Sequence, residues 1–255
     1  MIIVECDQGS PEWHSARAGV ITASMFETAR SKVGGLTSKQ KMYVDAIRAG
    51  KNQKDAMALA GYMAAPKSET VQRALDGEPD GDFSEAAKDY AFRLAVERIS
   101  RQPLDEGFST WAMKRGHELE PDARMEHEQQ SGLFVERAGF VLTDDYLFGA
   151  SADGLVGDDE GAEYKCFVAP DRLRAFHIEN DASTVFAQIQ GCLWITCRKR
   201  WHLGMYCPAL KPAGRQLWLR TFERNENYIE ELERDLIEFA ALVSSYESKL
   251  LKKAA

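Results

Sequence analysis

Apolar positions follow a helical period through most of the first half of the chain, and the second half alternates short apolar runs with helical stretches. Ser10-Pro11-Glu12 predicts a helix start, with Ser at the N-cap and Pro in the first turn, and Gly19 stops that helix. A β-branched step, Val20-Ile21-Thr22, leads to Ser24-Met25-Phe26-Glu27, which has capping-box spacing. Residues 38–101 read as almost entirely helical, broken at Gly50, Gly61, Pro66 and the turn-rich 76–81. A further helix is expected over about 109–131, kinked at Pro121 and ended by Gly132.

The pattern then changes. Leu133 to Val168 holds short runs rich in Val, Phe, Leu and Tyr, separated by Asp144-Asp145 and by Gly157 to Gly161, which is strand and turn chemistry. A helix over about 183–197 follows, with Val185, Ile189, Leu193 and Trp194 on one stripe. Strands at 201–207 and 215–222 and a long amphipathic helix from about Asn225 to Lys249 close the chain. The expected class is α/β, a small mixed sheet flanked by helices with a helical N-terminal region.

Composition narrows the function only slightly. The 255 residues suffice for one domain with an insertion, and no apolar run approaches the roughly 20 residues that span a bilayer. The N-terminus lacks a basic segment followed by an apolar one, so a cytoplasmic location is expected. Five scattered cysteines include no CxxC pair, which leaves zinc ribbons, iron–sulfur clusters and disulfide frameworks without support. The net charge of −8 does not suggest nucleic acid. It is concentrated, however: 76–85 and 223–239 each carry −5, and the rest of the chain is +2.

The candidate chemistry lies in Ser151-Ala152-Asp153-Gly154 followed by Glu163-Tyr164-Lys165. Strand alternation puts Glu163 and Lys165 on one face and Tyr164 on the other. Pairing of 147–156 with 161–167 across the Gly157–Gly161 turn brings Asp153 close to that face. Two carboxylates and an ammonium so placed suit Mg²⁺ or Mn²⁺ and phosphodiester hydrolysis. The same spacing also fits a surface turn with a strand-edge ion pair.

Four segments, in order, carry a resemblance. Trp13 with 17–24 (Arg-Ala-Gly-Val-Ile-Thr-Ala-Ser), 116–124 around Glu120, the Asp153/Glu163/Lys165 segment, and Ala187-Gln188-Ile189-Gln190 before Trp194 together resemble the phage lambda exonuclease (YqaJ-like) family of PD-(D/E)XK nucleases. The resemblance implies that Glu120, Asp153, Glu163 and the Tyr164 backbone carbonyl hold two Mg²⁺ or Mn²⁺ ions. It assigns Lys165 to the attacking water, and Arg17, Ser24 and Gln188 to the 5′-phosphate of DNA. It further implies 5′→3′ digestion of linear duplex to mononucleotides, leaving a 3′ single strand, by a homotrimeric ring. A single-strand annealing recombinase is the implied partner, in a bacterial cell hosting the encoding phage or prophage.

Ala152 and Phe167 stand where the family has Pro. Residues 37–82 do not align and are read as a helical insertion in a single nuclease domain spanning 1–255. Within them, 53–75 has the outline of a helix-turn-helix. Two alternatives stand beside the exonuclease: an endonuclease of the same superfamily, and a non-catalytic DNA-binding module using 53–75.

Overall fold

The computed structural model describes residues 1–78, 81–104, 111–166 and 169–252. In chain order its elements are β1 (Ile2–Val4), α1 (Pro11–Arg17), β2 (Ile21–Thr22), a 3-10 turn (Ala23–Met25), α2 (Phe26–Ala29), β3 (Lys32–Val33), α3 (Ser38–Arg48), α4 (Gln53–Ala60), α5 (Glu69–Leu75), β4 (Asp82–Phe83) and α6 (Glu85–Ser100). There follow α7 (Trp111–Ser131), β5 (Phe140–Leu142), β6 (Phe148–Ser151), β7 (Gly154–Val156), β8 (Glu160–Lys165), α8 (Pro170–His177), α9 (Ser183–Thr196), β9 (Arg200–Tyr206), β10 (Leu217–Glu223) and α10 (Glu226–Leu251). The chain forms two compact units, Met1–Ala29 with Tyr90–Ala255, and Arg30–Asp89.

The larger unit holds two four-stranded mixed sheets, in the orders β1-β5-β6-β2 and β10-β9-β8-β7. In the first, β2 runs parallel to β6, with Ile21 opposite Phe148; in the second, β8 runs parallel to β9, with Glu163 opposite Leu203. Strand β8 lies between β7 and β9 and is buried along most of its length. One side of it is covered by α7, whose Leu119 and Ala123 join Ala162, Tyr164, Tyr206 and Leu217 in one apolar cluster. Each large side chain fully buried in such a cluster contributes about 1.5–3 kcal/mol. Helix α9 is apolar around most of its circumference because it packs on β6 and β9, on the 3-10 turn and α2, and on α10. Helix α10 buries Ile229, Leu232, Leu236, Phe239 and Val243, a stripe at helical period, behind the Asn225 cap.

The smaller unit is built on three capped helices. Thr37 and Gln40 form a capping box on α3, Asn52 caps α4, and Ser68 caps α5. Their core is Tyr43, Val44, Ala46, Ala56, Ala60, Val71 and Ala74, in which small alanines let the helices approach closely.

The structure departs from the expected elements in five places. Residues 147–156 are not one strand: the chain leaves the first sheet after Ser151 and enters the second at Gly154, so Ala152-Asp153 is the crossing. Residues 38–101 are less helical than their composition suggests, because Asp82-Phe83 pairs with Lys32-Val33 as a small sheet. Helix α4 ends on Gly61, at φ 67°, but α5 starts only at Glu69, a longer link than the three or four residues of a helix-turn-helix. Helix α8 was not foreseen, and Pro121 sits inside a continuous α7. The expected helix start at 109–110, the strand end at 167–168 and part of the acidic turn, 79–80, lie outside the described residues. Among the described residues no helix is long and apolar enough to cross a membrane.

Gly191 tests the packing between α9 and α2. A Cβ there would lie 2.5 Å from the ring of Phe26, which is fully buried. Alanine favours helix over glycine by about 1 kcal/mol, yet overpacking a closed core costs about 1–3 kcal/mol. Gly191→Ala is therefore expected to lower Tm in thermal unfolding followed by circular dichroism; a higher Tm means that this contact is not tight.

Candidate active site

Asp153 sits at the crossing between the sheets, and both of its backbone neighbours constrain it. Its N–H donates to the Ala162 carbonyl at 3.1 Å, and its Oδ2 accepts from the Tyr164 N–H at 2.6 Å. The carboxylate is thereby held against β8, and it is buried at 7% exposure. Alternation along β8 sends Tyr164 into the α7 cluster, while Glu163 is hydrogen-bonded toward α9. Lys165 Nζ donates to Glu163 Oε1 at 2.7 Å and to Gln188 Oε1 at 3.0 Å. Gln188 Nε2 donates to the same Glu163 oxygen at 2.7 Å. The other oxygen, Glu163 Oε2, is buried without a hydrogen-bond partner.

Glu120 reaches the same region from α7. Arg124, one helical turn on, donates from Nη2 to Glu120 Oε1 at 3.1 Å and to the Asp153 carbonyl at 3.0 Å. His117 Nδ1 lies 3.8 Å from the other Glu120 oxygen. Glu120 and Asp153 line one cleft of about 810 Å³ with His117, Pro121, Arg124 and Arg137. Burial, and then repulsion from Glu163 and Glu120, push the Asp153 carboxyl well above its usual range. Burial also raises Glu120, with Arg124 and His117 pulling against it. Burial of Lys165 favours loss of its proton, but Glu163 and Asp153 outweigh that and raise its pKa, so the amine stays an ammonium.

Like charges gathered out of water, with one carboxylate oxygen left unpartnered, fit a divalent cation. All of the donors are hard oxygens, which suit Mg²⁺ or Mn²⁺. Among the described residues, however, no three His, Cys, Asp or Glu side chains form a closed ligand cage. Glu120 is held by Arg124, and Glu163 by Lys165 and Gln188.

A second cavity, of about 340 Å³, is lined by Trp13, Arg17, Thr22, Ser24, Tyr90 and Arg93 among others. Arg17 stacks on Trp13 at 4.0 Å, and its fork reaches Ser151 Oγ at 3.1 Å and Thr22 Oγ1 at 3.5 Å. Trp13 Nε1 donates to the same Ser151 oxygen at 2.8 Å. Burial lowers the Arg17 pKa to about 10. Its fork meets hydroxyls and an aromatic ring, and among the described residues no carboxylate forms a salt bridge with it, while Glu97 and Glu163 act on its charge from farther away. The corner that carries this group is latched from α6. Glu97, 3% exposed, accepts from the Gly19 N–H at 2.8 Å and Arg93 Nε at 2.9 Å, while Arg98 donates to the Gly19 carbonyl at 2.9 Å.

Asp153, Glu163, Lys165 and Gln188 are thus brought together, with Glu120 tied to Asp153 through Arg124, while Arg17 and Ser24 share the second cavity. Gln188 sides with the carboxylates rather than with Arg17. Ser24 does not cap a helix: it lies inside the 3-10 turn, with its hydroxyl 3.4 Å from Thr22 Oγ1. The four-residue α2 that follows offers little dipole. Sequence reasoning missed Ser151, Thr22, Arg124 and Glu97. The i, i+4 spacing of Glu120 and Arg124 was a readable signal; Glu97, 78 residues from Gly19, had none.

Mixed sheets flanked by helices, with Asp153, Glu163 and Lys165 gathered where β7 and β8 meet, are the architecture of the PD-(D/E)XK fold. The chain belongs to the YqaJ-like viral recombinase domain family, which matches residues 12–199. Among solved structures it is similar to the alkaline exonuclease LHK-Exo from Laribacter hongkongensis, at 22% identity and TM-score 0.67, over 94% of this chain and 96% of that one. The complex of LHK-Exo with dAMP gives 23% identity and TM-score 0.68 over the same shares. A phage-related exonuclease from Haemophilus somnus gives 14% and 0.57, over 91% of this chain and 95% of that one. No curated protein matches the chain by sequence. Family and fold support a nuclease role.

The Asp153 shift has a consequence for stability. A carboxyl whose folded pKa is raised above its unfolded value costs stability at neutral pH, where the unfolded chain ionises it freely. Asp153→Asn keeps the acceptor for Tyr164 N–H and removes the charge. In EDTA at pH 7 it is expected to melt at a higher Tm than the wild type. Added Mn²⁺ should raise the Tm of the wild type and leave the variant unmoved. Equal Mn²⁺ shifts in both proteins contradict the cation fit.

Proposed function

We propose that the chain is a divalent-cation-dependent exonuclease that digests linear double-stranded DNA from its 5′ ends, releasing mononucleotides and leaving a 3′ single strand for phage-type recombination. The observation that carries this reading is the buried, unpartnered Glu163 Oε2 beside the charge-strained Asp153 and the ammonium of Lys165. Glu120, Asp153, Glu163 and the Tyr164 backbone carbonyl would hold two Mg²⁺ or Mn²⁺ ions. When bound, such ions stabilise charge on the phosphate and make water a better nucleophile.

The chain's own groups do the rest. Lys165, protonated and hydrogen-bonded to Glu163 and Gln188, positions the attacking water and offsets negative charge in the transition state, rather than abstracting a proton. Gln188 keeps that ammonium in place and, on the same reading, faces the 5′-phosphate end of the DNA. Arg17, planar and pre-oriented by Trp13 and Ser151, grips the terminal 5′-phosphate bidentately, with the Ser24 hydroxyl beside it. Ser151 joins the two groups, since it touches Arg17 and lies two residues before Asp153. That LHK-Exo holds dAMP supports a product pocket for one nucleotide.

In the same reading, 1–255 is a single nuclease domain into which 37–82 is inserted as helices. The protein forms a homotrimeric ring around DNA, with basic residues inward, which reconciles −8 overall with a polyanionic substrate. It works in the cytoplasm of a bacterium carrying the phage or prophage, beside a single-strand annealing recombinase.

Digestion of linear duplex labelled at either end tests the reading. Mononucleotides should appear from the 5′ label first; release from 3′ ends, or cutting of closed circular duplex, contradicts it and points to an endonuclease in the second case. Lys165→Ala should reduce turnover by about 10²–10⁴-fold with DNA affinity largely kept. Arg17→Ala should erase the preference for a 5′-phosphate over a 5′-hydroxyl end, read as the ratio of the two rates. An unchanged ratio removes Arg17 from end recognition.

A further inference from the structure

Within the helical unit 30–89, whose net charge is only +1, the stretch that forms α3–α5 differs in charge from the chain that carries it. Residues 30–75 hold nine Lys and Arg against three Asp and Glu, while the whole chain is −8. The fold decides where those cations go. Gln40, in the first turn of α3, donates from Nε2 to the Ser68 cap of α5 at 3.1 Å, so the starts of these two helices adjoin. Lys39 Nζ lies over the ring of Tyr62, which follows the end of α4, at 4.3 Å. Arg48 reaches the Ala74 carbonyl at the far end of α3 and α5. The bundle therefore has two distinct ends, and Lys39, Lys41 and Lys67 share the first with Tyr62 and Gln40. Lys51 and Lys54, at the start of α4, belong to the second.

Lys41 and Lys67 are exposed and form no ion pair with any described residue. At the second end Arg73 is tied to Glu78 at 2.5 Å and Asp55 stands one residue from Lys54, so that end is partly self-neutralised. Glu69 is the acid beside the first end. Three lysines with an amide and an aromatic edge, fixed on a capped rigid bundle, match the contacts that proteins make to the backbone of duplex DNA.

We propose that the Lys39–Lys41–Lys67 end of the α3–α5 bundle is a second DNA-binding site, which takes the phosphate backbone of duplex DNA and requires neither a DNA end nor the carboxylate cluster. It tethers the enzyme to internal duplex. This inference stands on the charge and packing of the bundle and does not depend on the proposed hydrolysis.

The test uses the full chain in EDTA, so nothing is cut, and a duplex closed by hairpins at both ends. Affinity is read by fluorescence anisotropy between 50 and 200 mM salt. Wild type should bind, with log K falling linearly against log salt. Lys41→Glu/Lys67→Glu should weaken binding about tenfold or more and flatten the slope by roughly 2, close to one per lysine. Lys51→Glu/Lys54→Glu, at the other end, should change affinity less than threefold. Glu69→Gln should tighten binding, which guards against misreading a folding defect. Digestion of a short linear duplex at low salt should be the same in all variants. The proposal is overturned if wild type does not bind the closed duplex, if Lys41→Glu/Lys67→Glu binds like wild type, or if both ends contribute equally. A failed nuclease reading appears separately, as absence of digestion in Mg²⁺.

Discussion

Everything in the larger unit is arranged around one unfavourable fact: the carboxylates of Asp153 and Glu163 are buried close together. Uncompensated, such a pair costs several kcal/mol, more than a small domain spares. The compensation is local and specific. Asp153 takes a main-chain N–H from β8, Glu163 takes an ammonium and an amide on a single oxygen, and Arg124 ties Glu120 to the Asp153 main chain. The remaining deficit is one unpartnered oxygen and a carboxyl held above its ordinary pKa. A site that retains such strain fits a bound cation, and stability alone does not account for it.

The fold pays for this by making the crossing between the two sheets rigid. Asp153 stands where the chain passes from β6 to β7, and the same passage places Ser151 against Arg17 and Trp13. A three-residue stretch thus registers the carboxylate cluster against the cationic pocket. From the other side, Glu97 and Arg98 on α6 clamp both polar groups of Gly19, which sets the corner leading to Thr22 and Ser24. For the proposed end-trimming activity, side chains on a sheet crossing and a latched corner would hold the distance between terminus and scissile bond better than a mobile loop does.

The helical unit obeys a different economy. It has its own small core and its own capped helices, and its residues 30–75 carry nine Lys and Arg against three Asp and Glu in an acidic protein. Its surface lysines need no burial and carry no strain, which is the expected design for a salt-sensitive phosphate contact and the opposite of the carboxylate cluster.

Much of this was legible in the residues. Alternation placed Glu163 and Lys165 on one face, and caps and periodicity located α1, α7, α9 and α10. Local chemistry suffices for such features because period, caps and turns act within a few residues. Three things were decided only by tertiary structure: that 147–156 breaks between two sheets, that Gln188 serves Glu163 and Lys165, and that Glu97 anchors Gly19. Each depends on partners 23 to 78 residues apart or on which sheet edge accepts a strand. Such choices follow from packing and from the need to satisfy every buried polar group, and no local pattern encodes them.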